Sequence, residues 1–141
     1  MRLLLILPLL FLGYANWAQK TTFSIVGVAN KTGLLRVAVY QTETDFKKES
    51  TDLLYSFKKE DLILGFMQIE LDLKPGKYVI AFLDDTNKDA KMNYNLIGVP
   101  KEGYAFSNLK KYGYSKPSFK EASIEVKEGV DNSFEIKFNY F

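Results

Sequence analysis

The chain has 141 residues, and at 47% hydrophobic residues it has enough apolar side chain to build one buried core. Its formal net charge of +2 excludes a field that would draw the whole molecule to nucleic acid or an anionic membrane. It contains no Cys and no His, which excludes disulfide staples, Ser-His-Asp and Cys-His triads, and His-ligated zinc or copper.

The first 18 residues read as a signal peptide. Met1 and Arg2 give a short positive start, Leu3 to Leu12 form an apolar run broken only by Pro8, and small residues follow. Cleavage is expected after Ala15 or after Ala18. The apolar run is too short to span a bilayer. The expected product is a single exported domain over 19–141, periplasmic or extracellular, with no membrane insertion once the signal is gone.

Strand patterning dominates that domain. Residues 22–29 and 33–40 are β-rich and separated by the turn cluster Asn30 to Gly33, which predicts a hairpin. In 42–61, Phe46, Leu53, Leu54 and Phe57 fall at helical spacing, so a short amphipathic helix or turn over one sheet edge is predicted. Met67, Ile69, Leu71 and Leu73 alternate with Gln68, Glu70 and Asp72, the mark of a half-buried strand. Pro75 and Gly76 turn the chain into Tyr78–Leu83, apolar on both faces and expected to be a central strand. Alternating segments at 122–126 and 134–140 close the series, with a further strand expected in 103–108. The fold class expected is an all-β, two-sheet antiparallel sandwich of about seven strands.

The segment from Asp84 to Phe119 stands out as a long insertion, and long loops inside compact domains are usually functional or disordered. Its first half carries oxygen ligands at alternating positions: Asp85, Asn87, Asp89, the Lys91 carbonyl and Asn93. Calcium takes six to eight such oxygens from a flexible loop, so calcium is the one cofactor the residues suggest. The set is incomplete, because Ala90 stands where a calcium loop places Gly and Leu96 where a Glu would close it. The competing and preferred reading is a polar loop in which Asp and Asn side chains bond their own backbone.

The second half carries Tyr94, Tyr104, Phe106, Tyr112 and Tyr114, with Phe119 beyond and Lys110, Lys111 and Lys116 between. Rings beside polar groups can stack on a sugar or a peptide, or they can pin the loop to the sheet. Asp84, Asp85 and Glu102 are the carboxylates a hydrolase would need, but their separation in space decides that chemistry. Ser107 and Ser115 have no visible base.

The order of these parts resembles an uncharacterised family of secreted bacterial proteins, a domain of unknown function. The resemblance rests on Leu73 to Asp84, on the Asp-x-Asn-x-Asp segment, on Pro117 to Phe119 and above all on Gly98-Val-Pro-Lys-Glu-Gly-Tyr-Ala-Phe-Ser-Asn108. It implies an exported immunoglobulin-like or transthyretin-like sandwich and carries no activity with it. It also implies two departures, since relatives tend to place Gly at position 90 and an acid at 93. The expected function is therefore an exported, non-catalytic binding or structural module. It would meet a protein, peptide or glycan, not nucleic acid, through the 84–119 insertion. The alternatives are a calcium-stabilised structural domain and, more remotely, a carboxylate hydrolase.

Overall fold

The computed structural model describes residues 17–109 and 115–141. These form eight strands and two short helices: β1 (Gln19–Val26), β2 (Leu34–Tyr40), α1 (Glu43–Lys48), β3 (Leu54–Lys58), β4 (Met67–Leu73), β5 (Gly76–Asp85), β6 (Tyr104–Phe106), α2 (Phe119–Ala122), β7 (Ser123–Val126) and β8 (Asn132–Lys137). One sheet has the order β4-β1-β8. The other runs β3-β2-β5, and β5 is long enough to pair with two short strands, β7 along Gly76–Val79 and β6 along Ala81–Leu83.

Alternation decides which side chains meet between the sheets. In β4 every second residue, Met67 to Leu73, is buried, and Gln68, Glu70 and Asp72 stay wet. The core includes Phe23, Ile25, Leu35, Val37, Ile80, Phe82 and Ile136. Phe23 lies at its centre, edge-on to Phe82 at 5.7 Å and stacked on Phe134 at 5.8 Å. A smaller apolar cluster sits on the outer face of the second sheet. There Phe46 of α1, with Ala122 and Phe119 of α2, covers Tyr40 and Val79.

The all-β sandwich stands as expected, and four local expectations are corrected. The strands β1 and β2 do not form a hairpin; they lie in different sheets, and 27–33 crosses between them. The antiparallel rule fails at one ladder, because β1 and β8 run parallel. Within 42–61 only Glu43–Lys48 is helical, and Leu54–Lys58 is the edge strand β3. Thr42 caps the helix by accepting from the Asp45 N–H (3.1 Å), and Glu49 ends it with a left-handed φ of 52°. Beyond it Tyr55 and Phe57 turn toward the core while Leu54, Ser56 and Lys58 face water, a period of two. Finally, a second short helix stands where only one was expected: α2 begins at Phe119, the last residue of the insertion, on a capping box between Ser118 and Glu121.

The strand ends sort the loops. Leu34 pairs with both Lys58 and Asp85, and Val26 pairs with Lys137. Bonds between 28 and 65 and between 104 and 139 tie the two sheets at that end. Segments 27–33, 59–66, 86–103 and the C-terminal 138–141 therefore gather at one end of the sandwich. Helix α1, the 74–75 turn and the β7–β8 turn lie at the other.

Candidate functional site

Asp84 and Asp85 end β5, and as neighbours on a strand they face opposite ways. Asp84 points inward, where it forms a fully buried ion pair with Lys59. Its second oxygen accepts from the Tyr140 hydroxyl at 2.6 Å, and that hydroxyl accepts from the Ala29 N–H at 2.9 Å. Burial, then the Asp84 carboxylate, pushes the Tyr140 phenol well above its ordinary range, so it stays a donor. The ring of Tyr140 lies so close to Gly103 that a Cβ there would stand 2.2 Å from it. This cluster plugs the end of the sandwich and holds β3, β5 and the C-terminal segment together.

Asp85 lies on the opposite face of β5 and is buried there all the same. Arg36 donates to it at 2.7 Å, and the N–H groups of Asp89 and Ala90 donate to its two oxygens at 3.1 Å each. Glu102 accepts from the Thr86 N–H at 3.1 Å and from the Asn93 amide at 3.3 Å. The three carboxylates proposed as a hydrolytic set are thus held in separate bonding environments. The buried Ser107 bridges β5 to α2: its hydroxyl accepts from the Ile80 N–H at 3.0 Å and donates to the Ala122 carbonyl at 2.6 Å.

The predicted calcium positions do come together. Asp89 accepts from the Asn87 amide (3.0 Å), the Asn93 amide (2.9 Å) and the Lys91 N–H (2.9 Å). The Asn93 amide also donates to the Lys91 carbonyl at 3.1 Å, and Asn87 accepts from the Asp89 N–H. The Asn93 amide, followed by the Lys91 N–H, holds the Asp89 carboxyl below its usual range. Ala90 takes the left-handed turn (φ 61°) that a calcium loop gives to Gly. Glu102 joins this group from outside the spacing the sequence suggested. Among the described residues no three His, Cys, Asp or Glu side chains are grouped to hold a metal.

The predicted aromatic face divides. Tyr94 is exposed beside Pro100, to which it is bridged. Tyr104 is half-buried and stacks on Phe141 at 6.2 Å, and burial raises its phenol. Phe106 meets Phe46 edge-on at 5.8 Å in the outer apolar cluster. Tyr112 and Tyr114 lie outside the described residues. Lys116 ties the far arm of the insertion to α1, sitting 4.2 Å over the Phe46 ring and donating to Glu49 at 2.8 Å.

What the sequence reading missed is the tip. Residues 93–101 fold back as a small hairpin, with the Lys101 N–H on the Asn93 carbonyl (2.8 Å) and the Asn95 N–H on the Val99 carbonyl (2.9 Å). The Asn95 side chain accepts from the N–H groups of Ile97 (3.0 Å) and Val99 (2.9 Å). Gly98, at φ 81°, completes the turn. This well-bonded turn presents Leu96, fully exposed, and Ile97, 84% exposed. At the same end, Ile63 and Phe66 exchange two 2.9 Å bonds around Leu64 and Gly65, both at positive φ. That geometry favours Asn-Gly, yet Leu64 occupies it fully exposed. Aliphatic residues at the apex of a tight turn, where polar residues and Gly are the rule, are the signal that could have found them.

The distinctive run 98–108 now has a structural account. Glu102 closes the loop, Gly103 admits the Tyr140 ring, Phe106 packs the outer cluster, and Ser107 bridges β5 to α2. No curated protein and no solved structure matches the chain. The family match spans residues 23–133 and so takes in β5, the loop base, the tip and that run. The chain belongs to the bacterial family described as Uncharacterized protein conserved in bacteria (DUF2141).

Proposed function

We infer that the protein is an exported, non-catalytic binding module whose contact surface is the loop end of the sandwich, led by the tip of the 84–119 insertion. One observation carries this reading: two tight, hydrogen-bonded turns at one end hold Leu64, Leu96 and Ile97 in solvent. Side chains that bury nothing in the fold and sit on rigid turns are suited to burying area against something else. Export is supported by the leader pattern of 1–18 and by β1 beginning at Gln19, so that removal of 1–18 leaves intact every strand among the described residues. The N-terminus of the exported protein should then be Asn16 or Gln19.

The test exploits the absence of cysteine. Ile97→Cys creates a single thiol for a photo-crosslinker, with Val130→Cys at the opposite end as control. Adducts in the cell envelope from position 97 and not from 130 support the reading. Equal adducts from both positions, or none from 97, contradict it.

A structural calcium ion is the second reading, favoured by the left-handed Ala90 and by Glu102 joining Asp85, Asn87, Asp89 and Asn93. Against it, Arg36 and two N–H groups already engage both Asp85 oxygens. Melting in millimolar calcium and in chelator separates the readings. Equal melting temperatures disfavour the ion, and a rise with calcium supports it.

A further inference from the structure

We propose that the partner of the loop end is an anionic lipid surface, on which the protein docks through Leu64, Leu96 and Ile97 without crossing the membrane. This rests on the reading of that end as the binding surface and adds the chemistry of what is bound. Shape is the first argument. The apolar residues stand on convex turn apices, whereas protein hot spots are dominated by Trp, Tyr and Arg set in packed pockets, with Leu under-represented. The apices themselves are aliphatic and present no flat ring for a sugar, and the exposed ring of Tyr94 stands in the arm of the hairpin beside Pro100, not at its apex. A lipid surface accepts projecting aliphatic chains without needing a complementary pocket.

Charge is the second argument. The long loop carries exposed Lys88, Lys91 and Lys101 against one exposed acid, Asp89. The acids at its base are buried and partnered, Asp84 with Lys59, Asp85 with Arg36, and Glu102 with the Thr86 N–H and the Asn93 amide. The surplus is local to the apolar tip, and basic residues near an anionic surface each add to binding. The shorter turn contributes apolar area alone, since Lys58 pairs with Glu60 at 3.4 Å and Asp61 follows. Among the described residues no helix is long and apolar enough to cross a membrane.

The test is co-sedimentation of the protein lacking 1–18 with phosphatidylcholine vesicles, with and without phosphatidylglycerol. The wild type should sediment with the anionic vesicles and be released by salt. Leu96→Ser/Ile97→Ser should weaken binding on the order of tenfold or more, from the apolar burial lost. Lys88→Gln/Lys101→Gln should remove the preference for phosphatidylglycerol. Failure to sediment with any vesicle, or sedimentation untouched by the tip double variant, overturns the proposal. Crosslinking from position 97 to a protein without vesicle binding would also overturn it while leaving the binding module standing. Absence of both would remove the binding reading as well.

Discussion

The base and the tip of the 84–103 loop are built on opposite principles. At the base, polar and charged groups are taken out of water and each is given partners: Asp84 has Lys59 and Tyr140, Asp85 has Arg36 and two N–H groups, and Glu102 has Thr86 and Asn93. At the tip, apolar groups are held in water by a well-bonded backbone and touch nothing that would explain them. The base inverts the usual rule for charges and the tip inverts it for hydrocarbon. Only the base inversion is explained by the fold, because its charges join the ends of β2, β3 and β5 and, through the Tyr140 hydroxyl, the C-terminal segment. The expectation that follows is a sharp division: substitutions at the base should cost stability and those at the tip should not.

The largest effect is expected from Asp84→Ala. It leaves the Lys59 ammonium buried without a partner, which typically costs about 3–5 kcal/mol. Lys59→Met/Asp84→Leu together should recover most of that loss, since replacing a buried pair with apolar groups of similar volume is often neutral or stabilising. Urea denaturation of the three proteins checks both statements. A small effect of Asp84→Ala alone would place the pair outside the structural base.

Next comes Gly103→Ala. The new methyl group would collide with the Tyr140 ring at 2.2 Å, and forced overpacking costs about 1–3 kcal/mol. Loss of the Tyr140–Asp84 bond should add to this. Adding Tyr140→Leu to Gly103→Ala frees the space, so the pair should cost less than the sum of the single changes.

Alkaline pH addresses Tyr140 of this cluster together with three phenols outside it. Burial raises the phenols of Tyr40, Tyr78, Tyr104 and Tyr140 in the folded state. In the unfolded chain they titrate near about pH 10. Their contribution is therefore fully present below about pH 10 and is lost as pH rises toward the folded values. With no His in the chain, no imidazole titrates between about pH 6 and 8. Stability should be flat there and fall above about pH 10, with a shallower fall in Tyr140→Phe.

The β3–β4 turn supplies a prediction of opposite sign. Leu64 has φ 50° and Gly65 φ 79°, a pair of positions that Asn-Gly fills with less strain. Leu64→Asn should stabilise the fold by about 0.5–1 kcal/mol. A gain in stability with a loss of vesicle binding would show that the leucine is kept for recognition. A loss of stability would mean that the leucine serves the fold.

How much of this was legible in the sequence follows from range. The alternation of β4 and the two-faced apolar run of β5 declare themselves locally, and the sandwich follows from such segments. The strand β3 was hidden because the doublet Leu53 and Leu54 mixes two faces, so a period of two passed for a helical one. The hairpin expected from 22–40 failed because a turn signal does not say which sheet the next strand joins; the parallel ladder to β8 depends on residues more than 100 positions away. At the site, strand alternation already separates Asp84 from Asp85. The partners Lys59, Gly103 and Tyr140 meet Asp84 only through the fold, and no local pattern marks them. Within the distinctive run 98–108, Glu102 and Gly103 serve that base, Phe106 packs the outer cluster and Ser107 bridges β5 to α2. The tip between the two halves, Asn95 to Gly98, is marked in the sequence only by aliphatic Leu96 and Ile97 between the turn residues Asn95 and Gly98.

The central claim is that the tip belongs to recognition and the base to stability. Denaturant unfolding of Leu96→Ser/Ile97→Ser beside the wild type tests it most directly. The account predicts an unfolding free energy within about 0.5 kcal/mol of wild type, as for surface sites without structural partners. A loss of about 2 kcal/mol or more would place these side chains in the structural base and contradict it.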